Sequence, residues 1–244
     1  MMKPNGAKFL SADWRYLAML NYEVGPEVLD PFVPKGTELD QWNGRTFVSV
    51  VGFLFQDTRI GGLAIPFHRD FEEVNLRFYV RRFYDGEWRR GVVFIKEIVP
   101  RWAIAWTART IYNENYVALP MGHDLQADEE GIIKGVGYEW KVGGRKNFIE
   151  VIAKGEARPV EGGSEEEFIT EHYWGYARQR DGGTLEYRVE HPRWRVWAVE
   201  SSRLECDASA LYGAGFAKYL EGRPSSAFLA DGSAVTVSKG NRIA

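Results

Sequence analysis

The chain has few features that would tie it to a membrane, to nucleic acid or to an oxidising compartment. Its one cysteine, Cys206, cannot form a disulfide within the chain, so we expect a reducing, cytoplasmic location. A formal net charge of −3 lacks the positive surface that nucleic acid requires. No apolar run reaches the roughly 18 residues of a membrane helix, and the first residues lack the core of a signal peptide. We therefore expect neither a membrane nor a nucleic-acid partner.

Apolar residues, aromatic residues and glycine are abundant in the 244 residues. They include 45% apolar and 14% aromatic residues, with 26 glycines. This composition excludes a disordered chain and favours half-buried strands joined by turns over a helical bundle. We see no linker, repeat or low-complexity tract, and we expect one large antiparallel β domain over residues 1–244 with a few short helices.

Turn signals divide the chain into hairpins, because Asn-Gly and Asp-Gly pairs adopt the positive φ that tight hairpin turns require. Between residues 208 and 220 the apolar positions instead follow helical spacing. The predicted hairpin turns are at Asn43-Gly44, Asp85-Gly86, Gly143-Gly144, Asp181-Gly182-Gly183 and Asp231-Gly232.

The segment 71–82 alternates most clearly between apolar and polar residues. Glu73, Asn75 and Arg77 fall on one face, which has two interpretations. They form either the solvent-facing side of an edge strand or the lining of a cavity that receives a ligand. Considered by itself, the strand favours the solvent-facing interpretation.

Lys96 and Glu97 interrupt the otherwise apolar segment 91–100. Neighbouring strand residues face opposite sides, so the two cannot both point into one site. A buried lysine could act as an amine nucleophile, but we favour a lysine whose apolar stem covers the sheet edge. Glu97 has a shorter side chain and is the stronger candidate for a buried functional group.

Polar and aromatic residues are concentrated between residues 109 and 116. They combine a guanidinium, phenols, amides and a carboxylate, which together could bind a carbonyl- or carboxylate-bearing ligand or form a plain surface turn. The candidates are Arg109, Tyr112, Asn113, Glu114 and Tyr116.

Several chemistries lack their motifs in this chain. There is no phosphate-binding loop and no dinucleotide fingerprint after a strand, and the four histidines never occur at metal-binding spacing. Cys206 has no basic neighbour in sequence that would activate it as a nucleophile. We therefore predict neither a metal site nor a cofactor, although distant ligands could still converge.

Several longer motifs resemble the YqjF-like family of uncharacterised conserved proteins. The match extends from about Trp14 to Val237, with Asn115 where a proline is expected. The motifs are Trp14-Arg15 with Asn21-Tyr22, Pro34-x-Gly36-Thr37-x-Leu39-Asp40-x-Trp42-x-Gly44, Phe71-Glu72-Glu73-Val74-Asn75-Leu76-Arg77, Tyr112-Asn113-Glu114-Asn115-Tyr116, His191-Pro192-x-Trp194, and Pro224-Ser225-Ser226-Ala227-Phe228-Leu229-Ala230-Asp231-Gly232-Ser233.

The resemblance implies an acetoacetate decarboxylase-like fold, a closed antiparallel β structure around a buried pocket. In the decarboxylase, a Gly-Arg-Glu-x-x-Gly-x-Pro-Lys-Lys stretch supplies a Schiff-base lysine. Laid over this chain, Arg109 takes the arginine, Asn115 the proline, and Tyr116 and Val117 the two lysines. A phenol cannot form an iminium, and no lysine occurs between Lys96 and Lys134. We therefore expect the fold and pocket to be kept without the lysine mechanism, unless Lys96 replaces the amine from another strand.

Three functions remain open from the sequence. In an acid–base enzyme, Arg109 would bind an anion, Tyr116 or Tyr112 would donate to an oxyanion, and Glu97 or Glu114 would move a proton. The same residues would serve a binding or sensor protein without turnover. The third function is a structural or partner-binding role, in which surplus tryptophans such as Trp174 and Trp194 form a subunit interface, and a homodimer is plausible.

Overall fold

The computed structural model of the protein describes residues 8–64, 68–101, 113 and 115–244, and these form a mainly β fold. The strands are β1 Lys8–Val24, β2 Glu38–Leu39, β3 Thr46–Ile60, β4 Leu63–Ala64, β5 Phe71–Tyr84, β6 Glu87–Val99, β7 Tyr116–Ala118, β8 Met121–Ala127, β9 Ile133–Val142, β10 Arg145–Pro159, β11 Trp174–Arg178, β12 Thr184–Glu190, β13 Arg195–Glu205, β14 Ser226–Ser238 and β15 Asn241–Arg242. The short helices are α1 Pro26–Leu29, a 3₁₀ turn Asp30–Phe32, α2 Glu165–Thr170, α3 Ala208–Tyr212 and α4 Ala214–Leu220.

Seven of these strands close into a ring. Their order is β12-β11-β6-β5-β3-β1-β14, and β14 pairs back to β12 through Val189↔Val237 and Glu190↔Thr236. Most neighbours are antiparallel, but β6 is parallel to both β11 and β7, so the sheet is mixed. Beyond β14 the sheet continues through β13, β10, β9 and β8. The prediction of a closed, mainly antiparallel β structure with short helices is confirmed.

The two faces of the ring strands bury two separate apolar clusters. Alternate residues of each strand point to opposite faces, so Leu20 and Val50 join the outer cluster, whereas Leu17 and Phe53 join the inner one. The outer cluster is covered by β9, β10, α3 and α4, with Tyr138 and Trp140 fully buried in it. The sheet that forms the ring therefore has packed apolar side chains on its outer face and on its inner face.

Four of the five predicted hairpin turns are confirmed, and three of them join paired strands, at Asp85-Gly86, Gly143-Gly144 and Asp181-Gly182-Gly183. The fourth is at Asn43-Gly44, where both residues have positive φ (50° and 75°) and Trp42 and Arg45 exchange two backbone hydrogen bonds of 3.0 Å. The predicted pairing of its longer arms is wrong, because β2 pairs with β5 and a single bridge joins Trp42 to Arg45.

The hairpin predicted at Asp231-Gly232 is also wrong, since β14 runs straight through this pair. Gly232 has φ +79°, and a Cβ there would lie 2.0 Å from the carbonyl oxygen of Trp14. This glycine therefore allows a close approach of β14 to β1 rather than a turn. The helical pattern of residues 208–220 is divided into α3 and α4 at Gly213, whose φ is +90°.

The interpretation of β5 as a solvent-facing edge strand is wrong. β5 lies between β3 and β6, and Glu73, Asn75 and Arg77 are all buried. Within the residues that the structure describes, no helix is long and apolar enough to cross a membrane.

Candidate functional site

The interior of the ring holds a cavity of roughly 220 Å³. All seven ring strands contribute side chains to its wall, and β7, α2 and the segment after α2 complete it. The polar members of the lining are Thr58, His68, Glu73, Asn75, Arg77, Glu97, Tyr116, Thr170, His172, Tyr187 and His191.

Strand register brings four of these side chains together. Asn75 on β5 is opposite Glu97 on β6, and Glu97 is in turn opposite Tyr116 on β7. Glu73 lies two residues before Asn75 and therefore shares its inward face. Its carboxylate accepts hydrogen bonds from Asn75 Nδ2 at 2.9 Å and from the Tyr116 hydroxyl at 3.2 Å. Residues distant in sequence thus form one hydrogen-bonded cluster.

Burial changes the acidity of Glu73. Loss of hydration disfavours the carboxylate and raises the pKa of Glu73 from 4.5 to about 7, although Asn75, Tyr116 and the charge of Arg77 act in the opposite direction. Near neutral pH the side chain is therefore present in both protonation states, as a general acid or base requires.

Tyr116 is held as a neutral phenol. Burial raises the pKa of Tyr116 well above its usual value of 10, and the charges of Glu73 and Glu97 add to that effect. A phenol in this state is a hydrogen-bond donor toward the cavity and not a nucleophile.

Arg77 is a buried cation without an ion-pair partner in the described part of the chain. Its side chain donates to the backbone carbonyl of Ile169 at 3.4 Å, while the buried Nε has no hydrogen-bond partner there. The residue is 8% exposed and lines the cavity. A buried charge without a counter-ion lowers the stability of the fold. An anion that binds this guanidinium would remove that penalty, so the site favours anion binding.

His172 presents an acceptor to the same cavity. Its Nε2 lies 3.3 Å from Asp40 Oδ2, and Asp40 also accepts a hydrogen bond from Arg90 Nε at 2.6 Å. Burial lowers the pKa of His172 to about 4, so the ring is neutral at neutral pH. Because the carboxylate can only accept, the proton lies on Nε2, and the buried Nδ1, which has no partner within the described residues, is an acceptor.

Burial opposes ionisation of Asp40, but hydrogen bonds from His172 and Arg90 hold the pKa of that carboxyl below its usual value. Asp40 is therefore an anion that fixes the orientation of the His172 ring.

The structure brings together five of the residues that the sequence singles out: Glu73, Asn75, Arg77, Glu97 and Tyr116. Asn113 is not among the lining residues, and its side chain donates to the carbonyl of Arg178 at 2.8 Å. Arg109, Tyr112 and Glu114 lie outside the described residues. Lys96 points to the opposite face from Glu97, where its amine contacts the carbonyl of Leu211 in α3. Its pKa is lowered by partial burial, but it does not line the cavity.

Sequence reasoning missed the histidines of the site. His172 follows α2 directly, and His191 stacks on Trp194 with ring centroids 4.3 Å apart. The motif His191-Pro192-x-Trp194 was a signal for the second, whereas no local pattern marks His172. Trp174 and Trp194, considered as interface residues, line the cavity instead.

Other reactive groups do not add a second chemistry to this site. Burial raises the pKa of the Cys206 thiol to about 12, which leaves it protonated and unreactive at neutral pH. Within the described ranges, no three His, Cys, Asp or Glu side chains are arranged to hold a metal ion.

The sequence of the chain matches a family of conserved proteins. Residues 11–234 match the model of DUF2071, an uncharacterized conserved protein, and the chain belongs to this family. A relative within it is the uncharacterized protein YqjF of Bacillus subtilis (strain 168), which is 26% identical over 215 residues, covering 85% of this chain and 82% of YqjF.

Solved structures with this fold are acetoacetate decarboxylase-like proteins. The acetoacetate decarboxylase of Legionella pneumophila has a TM-score of 0.66 at 17% identity, covering 98% of this chain and 88% of its own. The enduracididine biosynthesis enzyme MppR complexed with pyruvate has a TM-score of 0.70 at 13% identity, covering 100% and 92%. At these identities the likeness shows the fold alone, which confirms the expected acetoacetate decarboxylase-like architecture.

The raised pKa of Glu73 makes stability depend on pH. Between pH 4.5 and 7 the native carboxyl keeps a proton that the unfolded chain has lost, so stability falls as pH rises through this window. The loss amounts to roughly 3 kcal/mol. Glu73→Gln resembles the protonated acid and should flatten this fall, which urea unfolding at pH 5 to 8 would measure.

The matched control is Glu87→Gln. Glu87 is exposed at the start of β6, so its carboxyl is hydrated in both states and this variant should keep the wild-type fall. A Glu73→Gln curve parallel to that of the wild type would contradict a buried, protonatable Glu73.

Proposed function

We propose that the protein binds a small carbonyl- or carboxylate-bearing molecule inside the ring and acts on it by non-covalent acid–base chemistry. The observation that carries this proposal is the buried guanidinium of Arg77, which has no ion-pair partner among the described residues and shares a cavity wall with the protonatable carboxyl of Glu73. A negatively charged ligand would satisfy the first group, and a proton transfer would use the second.

The polar groups left without partners in the described residues suggest how the ligand is held. Arg77 Nε offers a donor, whereas Asn75 Oδ1 and His172 Nδ1 offer acceptors. A ligand carboxylate at Arg77 and a hydroxyl or enol hydrogen at one of the acceptors would complement two of the three. Each new hydrogen bond would remove the cost of a buried polar group without a partner.

Roles in the reaction follow from protonation state. Tyr116 is a neutral phenol whose single proton is donated to Glu73; on ligand binding it would turn that proton to an oxygen that gains negative charge, while Glu73 or Glu97 would move the substrate proton. In this scheme Arg77 takes the anion-binding role that the sequence suggests for Arg109. Arg109, Tyr112 and Glu114 stay predictions for the same site.

The distribution of lysines supports non-covalent chemistry. No lysine lines the cavity in the described residues, and the undescribed internal segments 65–67, 102–112 and 114 contain none. Tyr116 at the expected lysine position cannot form an iminium. The ligand class is supported by MppR, a protein of the same fold solved in complex with pyruvate.

We also propose a cellular location and an oligomeric state for the protein. We infer a cytoplasmic protein from the single, protonated thiol of Cys206. A homodimer is proposed because two-fold dimers are the commonest oligomers, and light scattering of the purified protein would decide it.

The role of Arg77 is tested by Arg77→Met. The substitution removes an unpaired buried charge, so the free energy of unfolding should stay constant or rise. Pyruvate at 100 times its dissociation constant should stabilise the wild type by about 2.7 kcal/mol, and this gain should vanish in the variant. Chemical unfolding with and without pyruvate measures both effects.

Arg81→Met is the matched control, because Arg81 is on the same strand but exposed and paired with Glu38 at 2.7 Å. It should keep the stabilisation by pyruvate. Equal stabilisation of Arg77→Met by pyruvate would rule out Arg77 as the anion site.

Catalysis is tested by exchange of the methyl protons of pyruvate in D₂O, followed by proton NMR. An acid–base enzyme should catalyse the exchange, and Glu73→Gln should slow it by about a hundredfold or more.

Borohydride added to the same mixture should leave the protein mass unchanged, because no iminium forms. A reduced covalent adduct would contradict the non-covalent mechanism, and binding without exchange would favour a non-catalytic binding protein.

A further inference from the structure

The cavity has a polar end and an apolar end, and β5 runs from one to the other. Its inward-facing residues are, in order, Phe71, Glu73, Asn75 and Arg77. Because a strand rises about 3.3 Å per residue, roughly 20 Å separate the first from the last along the backbone. One strand therefore presents an aromatic ring, a protonatable carboxyl, an amide and a cation in sequence.

The apolar end is formed by five aromatic residues, Trp14, Phe53, Phe55, Phe71 and Trp194, here called the aromatic wall. Phe55 and Phe71 stack with centroids 4.6 Å apart, while Trp14 meets Phe53 edge-on at 5.3 Å and Trp194 at 6.4 Å. These contacts fix the rings against one another, so the wall is a preformed surface for an apolar group.

Buried residues border Arg77 on the side away from the aromatic wall. They are Ile169, whose carbonyl accepts from Arg77, with Thr170 and His172 after it. An anion bound at Arg77 is bounded on this side, and the length of the cavity along β5 leads from there toward the aromatic wall.

We propose that the ligand is an amphiphilic monocarboxylic acid, namely a 2-oxo or 2-hydroxy acid whose carbon chain continues into an apolar body. The carboxylate binds Arg77, and the apolar body packs on the aromatic wall. The adjacent oxygen accepts from the Tyr116 hydroxyl when it is a ketone, or donates to Asn75 Oδ1 when it is a hydroxyl. This inference rests on the proposed function, which by itself requires only the acid head.

Charge and volume favour this class of ligand. Among the lining residues that the structure describes, Arg77 is the only arginine or lysine, and one guanidinium pairs with one carboxylate. A cavity of about 150 Å³ is known to hold benzene. The present volume of roughly 220 Å³ therefore accommodates a ring or short chain in addition to a three-carbon acid head.

The test is a calorimetric series of pyruvate, 2-oxobutanoate, 2-oxohexanoate and phenylpyruvate. Each methylene buried on the wall should tighten binding roughly fourfold, so 2-oxohexanoate should bind about 60-fold more tightly than pyruvate. Phe53→Leu keeps an apolar side chain but loses the ring of the aromatic wall that lies opposite Glu73, within reach of the apolar body. It should lower the preference for phenylpyruvate over pyruvate about fivefold.

Phe83→Leu is the control, since Phe83 is on the paired strand β5 but 60% exposed at the hairpin end, and its ratio should equal that of the wild type. If pyruvate binds as tightly as the longer acids, the amphiphilic ligand is excluded while the proposed function stands. If none of the four acids binds, the proposed function fails and this inference fails with it. The wild-type series decides the question even if Phe53→Leu does not fold.

Discussion

The pairing of β12 with β14 is the constraint on which the site depends. Through Val189↔Val237 and Glu190↔Thr236 it closes seven strands into a ring, so that one face of every strand is enclosed. Without closure, the inward face of β5 would be hydrated, and Glu73 would titrate as an ordinary carboxylic acid. With closure, the low polarity of the interior raises the pKa of Glu73 to about 7.

Among the described residues, some of the enclosed polar groups have their partners within the protein, whereas others lack one that a ligand could supply. Asp40 is satisfied by Arg90 and His172, and it lies behind the cavity wall. Arg77 has no comparable carboxylate partner within the described ranges. A buried charge without a partner lowers the stability of the fold, and an arginine with a purely structural role would be expected to have such a partner. Retaining an unpaired cation beside a protonatable carboxyl is typical of a binding or catalytic site, where strain and perturbed acidity are concentrated.

Much of the fold follows from local sequence patterns, and the site follows only in part. Alternation along residues 71–82 predicts a strand and correctly groups Glu73 with Asn75 and Arg77. Whether that face meets water or a cavity depends on β12 and β14, which are more than 100 residues away, so the strand alone favours the wrong alternative. The failed turn at Asp231-Gly232 has a similar origin, because the glycine serves a close approach to Trp14. His172 could not be found, because its partner Asp40 is 132 residues away.

The central claim is that Arg77 binds the anionic group of a ligand inside the ring. Its most direct test is the Nε–Hε resonance of Arg77 in a ¹⁵N-labelled sample titrated with pyruvate, with the signal assigned by its loss in Arg77→Lys. The account predicts a saturable shift of this resonance, because the Nε, which has no hydrogen-bond partner among the described residues, would gain a charged acceptor. An Arg77 signal that stays fixed while other cavity signals shift would contradict it.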